Sequence, residues 1–237
     1  MNALPDDEIE RALVVAAHPD DVDFGAAATV AVWTAAGVSV TYCVVTDGQA
    51  GGFDPGLDRA EMPRIRRAEQ TAAARRVGVR DLRFLGYVDG ELVVGRDLVR
   101  DLVRTVREVR PQRVLIPSPE RSWERLAPSH PDHLAAGEAA TQALYPAAGN
   151  PFAFTDVTVE PWSPAEVWIM EHPTSNHAVD VTEHFEAKMD ALMCHESQHP
   201  DPETLHQVMR DKLSAAAAEY SLGDGRLGEK FAVYPLP

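Results

Sequence analysis

The sequence predicts an α/β fold that is Rossmann-like, with a mostly parallel sheet flanked by helices in a single domain. Three observations predict it. Apolar, β-branched runs alternate along the chain with helix-forming segments; the connections are short; and the first strand is apolar throughout, as suits a strand buried on both faces of a parallel sheet. With 237 residues, 45% hydrophobic and 25% charged, the chain has the apolar material for one large core.

That first strand covers residues 12–17 (ALVVAA) and ends in His18-Pro19-Asp20-Asp21. Residues 24–36 (FGAAATVAVWTAA) have helix-forming composition and stop at Gly37, and 38–45 (VSVTYCVV) are β-branched, which completes a βαβ unit with a right-handed crossover. A glycine-rich loop at 46–57 leads to a helix over 59–77, terminated by Gly78, and then to a short third strand at 81–85. Over 97–109, Leu98, Leu102, Val106 and Val109 recur at helical spacing, and Pro111 ends the segment. Residues 113–116 (RVLI) read as the fourth strand, 117–129 as a polar loop, and 131–144 as a helix with Pro131 in its first turn. A strand at 165–170, helices at 182–195 and 203–220, and a last strand near 231–234 complete the chain. No repeat or linker divides it, so one domain is expected over 1–237, with its core at about 11–198 and a helical and strand extension at 199–237.

The charge balance, 22 Lys and Arg against 37 Asp and Glu for a formal net charge of −15, argues against a nucleic-acid partner. Cys43 and Cys194 form no CxxC, so neither a disulfide framework nor a thiolate zinc site is expected. Residues 1–11 are acidic and lack the basic and apolar regions of a signal peptide, and no run approaches the roughly eighteen apolar residues of a membrane span. The expectation is a cytoplasmic protein with a small-molecule substrate and no membrane or nucleic-acid partner; a homo-oligomer is left open.

In a doubly wound sheet, ligands bind outside the carboxyl ends of the strands. His18, Asp20 and Asp21 follow one predicted strand there, and His130, Asp132 and His133 follow another. A lone His-Pro-Asp is an ordinary turn, but two of them on the ligand-binding side point to a metal. Imidazole and carboxylate suit Zn²⁺, and three protein ligands leave a position for a water whose pKa falls to roughly 7. Spacing alone does not say which of the six residues touch the metal. The remainder can supply a general base and an acid.

The stretch AHPDDVDFGAAATVA and the later HPDH resemble the PIG-L/LmbE-like metal-dependent de-N-acetylases. The likeness continues through Arg66-x-x-Glu69, LGYVDG at 85–90, and residues 176–198, so it covers about 11–198. It implies that His18, Asp21 and His133 ligate one Zn²⁺ per chain, with Fe²⁺ or another divalent ion as the alternative. It further implies that Asp20 is the general base, that His130 stabilises the oxyanion and helps protonate the amine, and that Asp132 orients or charge-stabilises the His130 imidazole. Arg66, and with it Asp89 of LGYVDG, would bind substrate hydroxyls, although the bland readings are an i,i+3 ion pair with Glu69 and an Asp-Gly turn. His177 and His195 match positions in the family without an evident role. Ala26-Ala27-Ala28 stands where many relatives carry paired glycines, which predicts a more regular backbone here. The loops at 118–128 and 146–164 are idiosyncratic, leaving the acyl group open.

The expected function is a zinc-dependent hydrolase that removes an N-acetyl or other N-acyl group from an amino sugar or related metabolite. An amidase acting on a thiol-sugar conjugate or natural-product amide, and a non-catalytic accessory protein, are the alternatives. A nucleotide-binding Rossmann protein is disfavoured because HPDDVDFG lacks the GxGxxG pyrophosphate cradle.

Overall fold

The structure, a computed structural model, describes residues 3–198 and 201–237; the boundary expected between core and extension falls against residues 199–200, outside the described residues. The strands are β1 (Arg11–Ala16), β2 (Ser39–Thr46), β3 (Asp81–Tyr87), β4 (Arg113–Pro117), β5 (Glu166–Met170), β6 (His177–Asp180) and β7 (Gly228–Pro235). They form one sheet in the order β3-β2-β1-β4-β5-β7-β6. The first five are mutually parallel, and β7 runs antiparallel to both of its neighbours. The order reverses between β1 and β4, which opens a crevice at their carboxyl ends, the usual place for a ligand in such sheets.

The helices are α1 (Asp21–Gly25), α2 (Ala27–Ala35), α3 (Met62–Arg76), α4 (Arg96–Val109), α5 (Pro131–Gln142), α6 (Phe185–Leu192) and α7 (Pro202–Glu219). Alternation along β1 divides the core into two layers. Leu13 and Val15 pack with α4 and α5 through Leu98, Leu102, Val106 and Ala136, whereas Ala12, Val14 and Ala16 pack on the other face with Trp33, Ala73 and Ala191 of α2, α3 and α6. No helix among the described residues is long and apolar enough to cross a membrane.

One local expectation is corrected, and two elements are not placed by the sequence. The single helix expected at 24–36 is two, because Ala26 (φ −152°, ψ 5°) leaves helical geometry, and the alanine triplet does not make this backbone more regular. The break frees carbonyls behind it and amides ahead of it, groups that need partners when buried. Lys188 Nζ donates to the carbonyls of Asp23 (2.7 Å) and Phe24 (2.9 Å), the Glu229 carboxylate accepts from the amides of Ala28 (3.4 Å) and Thr29 (2.7 Å), and the two side chains pair at 2.8 Å. His177–Asp180, to which the sequence assigns no element, is a short edge strand; three partly buried residues and one exposed are too few to show a strand period. The last strand, β7, lies between β5 and β6, so the C-terminal segment belongs to the sheet.

Beneath the sheet, the fully buried Arg113 guanidinium lies 4.9 Å from the Trp33 ring centroid and 4.5 Å from that of Trp168. It donates to Glu166 (2.6 Å) and Asp6 (2.5 Å). Replacing one member of a buried ion pair strands the other charge. Arg113→Met is therefore expected to destabilise the fold by about 3 kcal/mol, read as a lower urea midpoint at unchanged slope.

Candidate metal centre

β1 delivers His18 and Asp21 to the crevice through a tight turn. The Asp21 carboxylate accepts from the His18 amide (2.7 Å), and the Asp20 carbonyl accepts from the amides of Asp23 (2.8 Å) and Phe24 (3.0 Å), starting α1. Asp20 itself sits in the left-handed region at φ +88°, an uncommon position for a residue other than glycine. It is held there by Gln70 of α3, whose side-chain oxygen accepts from the Asp20 amide at 2.7 Å. His130, Asp132 and His133 come from the start of α5. His130 is its N-cap residue, with Nδ1 accepting from the Asp132 amide at 3.2 Å, and Pro131 opens the first turn.

His18 Nδ1 and His133 Nε2 face each other at 3.2 Å, with Asp21 3.5 Å from the first and 3.0 Å from the second. Two nitrogens bound to one tetrahedral zinc stand about 3.3 Å apart, given bonds of about 2.0–2.1 Å. Each imidazole also has its other nitrogen engaged, as in metal sites generally. His18 Nε2 contacts Asp132 and Asp89, each at 3.1 Å, and His133 Nδ1 contacts the Pro128 carbonyl at 3.1 Å. Electrostatics agree. Burial opposes charge on His18, yet Asp21, Asp132 and Asp89 outweigh it and push the imidazole up to about 12. Burial likewise opposes charge on Asp21, but His133 and His18 hold its carboxyl well below the usual range. The pocket is built to hold positive charge, and His18, Asp21 and His133 fit a divalent ion.

The remaining residues expected at the site converge on this cluster. Asp20 is pushed up to about 7 by burial, against the pull of the Arg66 guanidinium 3.1 Å away. Burial and the neighbouring His18 lower His130; since its Nδ1 accepts from an amide, the neutral ring carries its proton on Nε2 and is a donor. Asp132 fixes the His130 ring through its backbone amide, and its charge favours the imidazolium, while its carboxylate turns toward His18. It contacts His18 Nε2 and accepts from the amides of Gly90 (2.7 Å) and Leu92 (3.3 Å). Asp132→Asn is therefore expected to weaken metal affinity 10- to 100-fold, measured by competition with a chromogenic chelator. Arg66, 3% exposed, contacts Asp20 and donates to the Pro19 and Gly48 carbonyls, and only its edge reaches the cavity above the cluster. Gly48, at φ +63°, permits this approach; a Cβ there would lie 2.9 Å from the guanidinium carbon. Asp89 contacts His18 through one oxygen and accepts from the Ala50 amide (3.0 Å) through the other.

A cavity of about 310 Å³ opens over this cluster, walled by His18, Asp20, Arg66, Asp89, His130 and His133. His177 is not on it; its ring packs against Trp168 at 4.9 Å. His195 is buried behind it, with Nε2 2.8 Å from Asp23. Gln70 joins that layer to the site by donating to the same Asp23 oxygen (2.8 Å) while accepting from the Asp20 amide. Sequence reasoning passed over Gln70 and Asp23, since a glutamine in a helix and a third aspartate after the motif carry no local signal.

Residues 13–144 match the family described as PIG-L, GlcNAc-PI de-N-acetylase. The chain is 31% identical over 199 residues to a diacetylchitobiose deacetylase of Thermococcus kodakarensis, covering 83% of this chain and 73% of that protein. It is 32% identical to a 1D-myo-inositol 2-acetamido-2-deoxy-α-D-glucopyranoside deacetylase of Kineococcus radiotolerans, over 70% of this chain but 53% of that longer relative. The solved N,N'-diacetylchitobiose deacetylase of Pyrococcus horikoshii, in complex with an inhibitor, matches with a TM-score of 0.88 at 30% identity, covering 98% of this chain and 86% of that one.

Proposed function

The chain belongs to the PIG-L de-N-acetylase family, and from that premise we propose that it is a cytoplasmic, zinc-dependent amide hydrolase that releases a carboxylate from an N-acylated amino sugar. The observation that carries this reading is the arrangement of three metal-ligand groups, His18, Asp21 and His133, beside an unligated carboxylate, Asp20, and an imidazole donor, His130. A purely structural metal site needs neither a base nor a donor.

An amide is a weak electrophile with a poor leaving group, so its hydrolysis needs a polarised carbonyl, an activated water and a proton for nitrogen. A divalent ion on His18, Asp21 and His133 supplies Lewis acidity for the carbonyl and acidifies water. Asp20 accepts the proton of the attacking water, and Arg66 and the Gln70 contact to its backbone hold it in place. His130 donates through Nε2–H to the carbonyl oxygen as that atom gains charge, and the proton taken up by Asp20 passes to the amine nitrogen as the C–N bond breaks. Asp132 holds the His18 ring. Asp89 and the edge of Arg66 line the cavity where sugar hydroxyls would lie.

Purified protein incubated with N-acetylglucosamine and N,N'-diacetylchitobiose tests this, with released amine as the readout. Stoichiometric amine and acetate support the reading. Absence of amine release from any N-acyl amino sugar by metal-loaded protein contradicts it.

A further inference from the structure

A second cavity, of about 370 Å³, adjoins the metal cluster. It shares His133 and Ala127 with the polar cavity and is also lined by the ligand Asp21, yet it includes none of Asp20, Arg66, Asp89 or His130. Its walls are Phe24, Pro117, Pro128, Met170, Val208 and Met209, drawn from α1, the end of β4, the loop before α5, the end of β5, and α7. Among the charged groups at its edge, Glu171 pairs with Lys212 at 2.5 Å and with Arg125 at 3.2 Å. The six apolar side chains make up most of the wall, which suits an apolar occupant. An amide held at the metal ligands has two arms. The amine arm carries the sugar and matches the polar cavity with Arg66 and Asp89; the acyl arm leaves the carbonyl in another direction and requires a space of its own.

We propose that this apolar cavity binds the acyl chain of the substrate, so that the enzyme cleaves N-acyl amino sugars bearing a medium-length aliphatic acyl group in preference to acetyl. The proposal rests on the amide-hydrolase reading above and goes beyond it in naming the acyl class. The two methionines suit a flexible chain, since their side chains adapt to irregular apolar surfaces. Val208, 49% exposed on α7, stands at the open side, where a chain can enter without disturbing the core.

The test compares kcat/KM for N-acetyl- and N-hexanoyl-glucosamine. Each methylene fully buried favours the longer substrate about fourfold, so the hexanoyl-to-acetyl ratio is expected to exceed about ten. Val208→Trp, which fills the cavity, and Val208→Asp, which charges its wall, are each expected to reduce that ratio about tenfold. Calorimetry supplies a readout free of turnover: hexanoate is expected to bind more tightly than acetate, and both variants are expected to remove the difference. Acetyl cleavage with a ratio at or below one, or a ratio that neither variant changes, overturns the proposal while leaving the hydrolase reading intact. No amine from either substrate overturns the hydrolase reading itself and the proposal with it.

Discussion

Asp20→Asn is expected to lower kcat for amine release by about 10³-fold, while metal content stays that of the unmodified protein. The two halves of this result come from different parts of the geometry. Asp20 lies outside the convergent set of His18, Asp21 and His133, so its loss removes no ligand. Its carboxylate is the acceptor next to the cluster, fixed by Arg66 through the side chain and by Gln70 through the amide. Asparagine keeps the shape and the backbone contact but cannot accept a proton at neutral pH, so the fold and the left-handed turn survive while proton transfer does not. A change in KM far smaller than the change in kcat would mark the loss as one of chemistry. Asp20→Asn protein that turns over at the normal rate would show that another group is the base.

The second large effect is expected from His133→Ala. In the proposed centre three ligands would hold the ion, and removing His133 takes away a donor that faces both remaining partners, at 3.2 Å from His18 and 3.0 Å from Asp21. Metal is expected to be lost on gel filtration against a mild chelator, and activity is expected to fall below detection. Elemental analysis checks the first and amine release the second. His177→Ala is the matching control, because this histidine packs on Trp168 and is absent from the cavity wall. Retention of stoichiometric metal by His133→Ala would remove His133 from the ligand set.

Much of this was legible in the sequence, for identifiable reasons. The central strands β1 and β2 announce themselves because strands covered on both faces are largely apolar, as residues 12–17 and 38–45 are. The paired His-Pro-Asp clusters announce the site because both lie where the chain leaves a strand on the ligand-binding side. What escaped reading depends on partners far away in the chain. The break at Ala26 is stabilised by Lys188 and Glu229, more than 150 residues downstream, and nothing local in an alanine triplet foretells it. The direction of the Asp132 carboxylate is set by the Gly90 and Leu92 amides and by His18, not by its neighbour His130. Arg66 and Glu69 look like an i,i+3 pair on α3, yet each faces a different segment: Arg66 contacts Asp20, and Glu69 accepts from the amide and hydroxyl of Ser197, both at 2.8 Å. The same long-range logic hid the layer of Gln70, Asp23 and His195 behind the base.

The most direct test of the central claim is amine release from an N-acyl glucosamine by one protein sample in three states: as purified, after exhaustive chelation, and after restoration with zinc. The account predicts that activity disappears with the metal and returns with about one equivalent of Zn²⁺. Amine release that persists in protein shown by elemental analysis to be free of metal would contradict it.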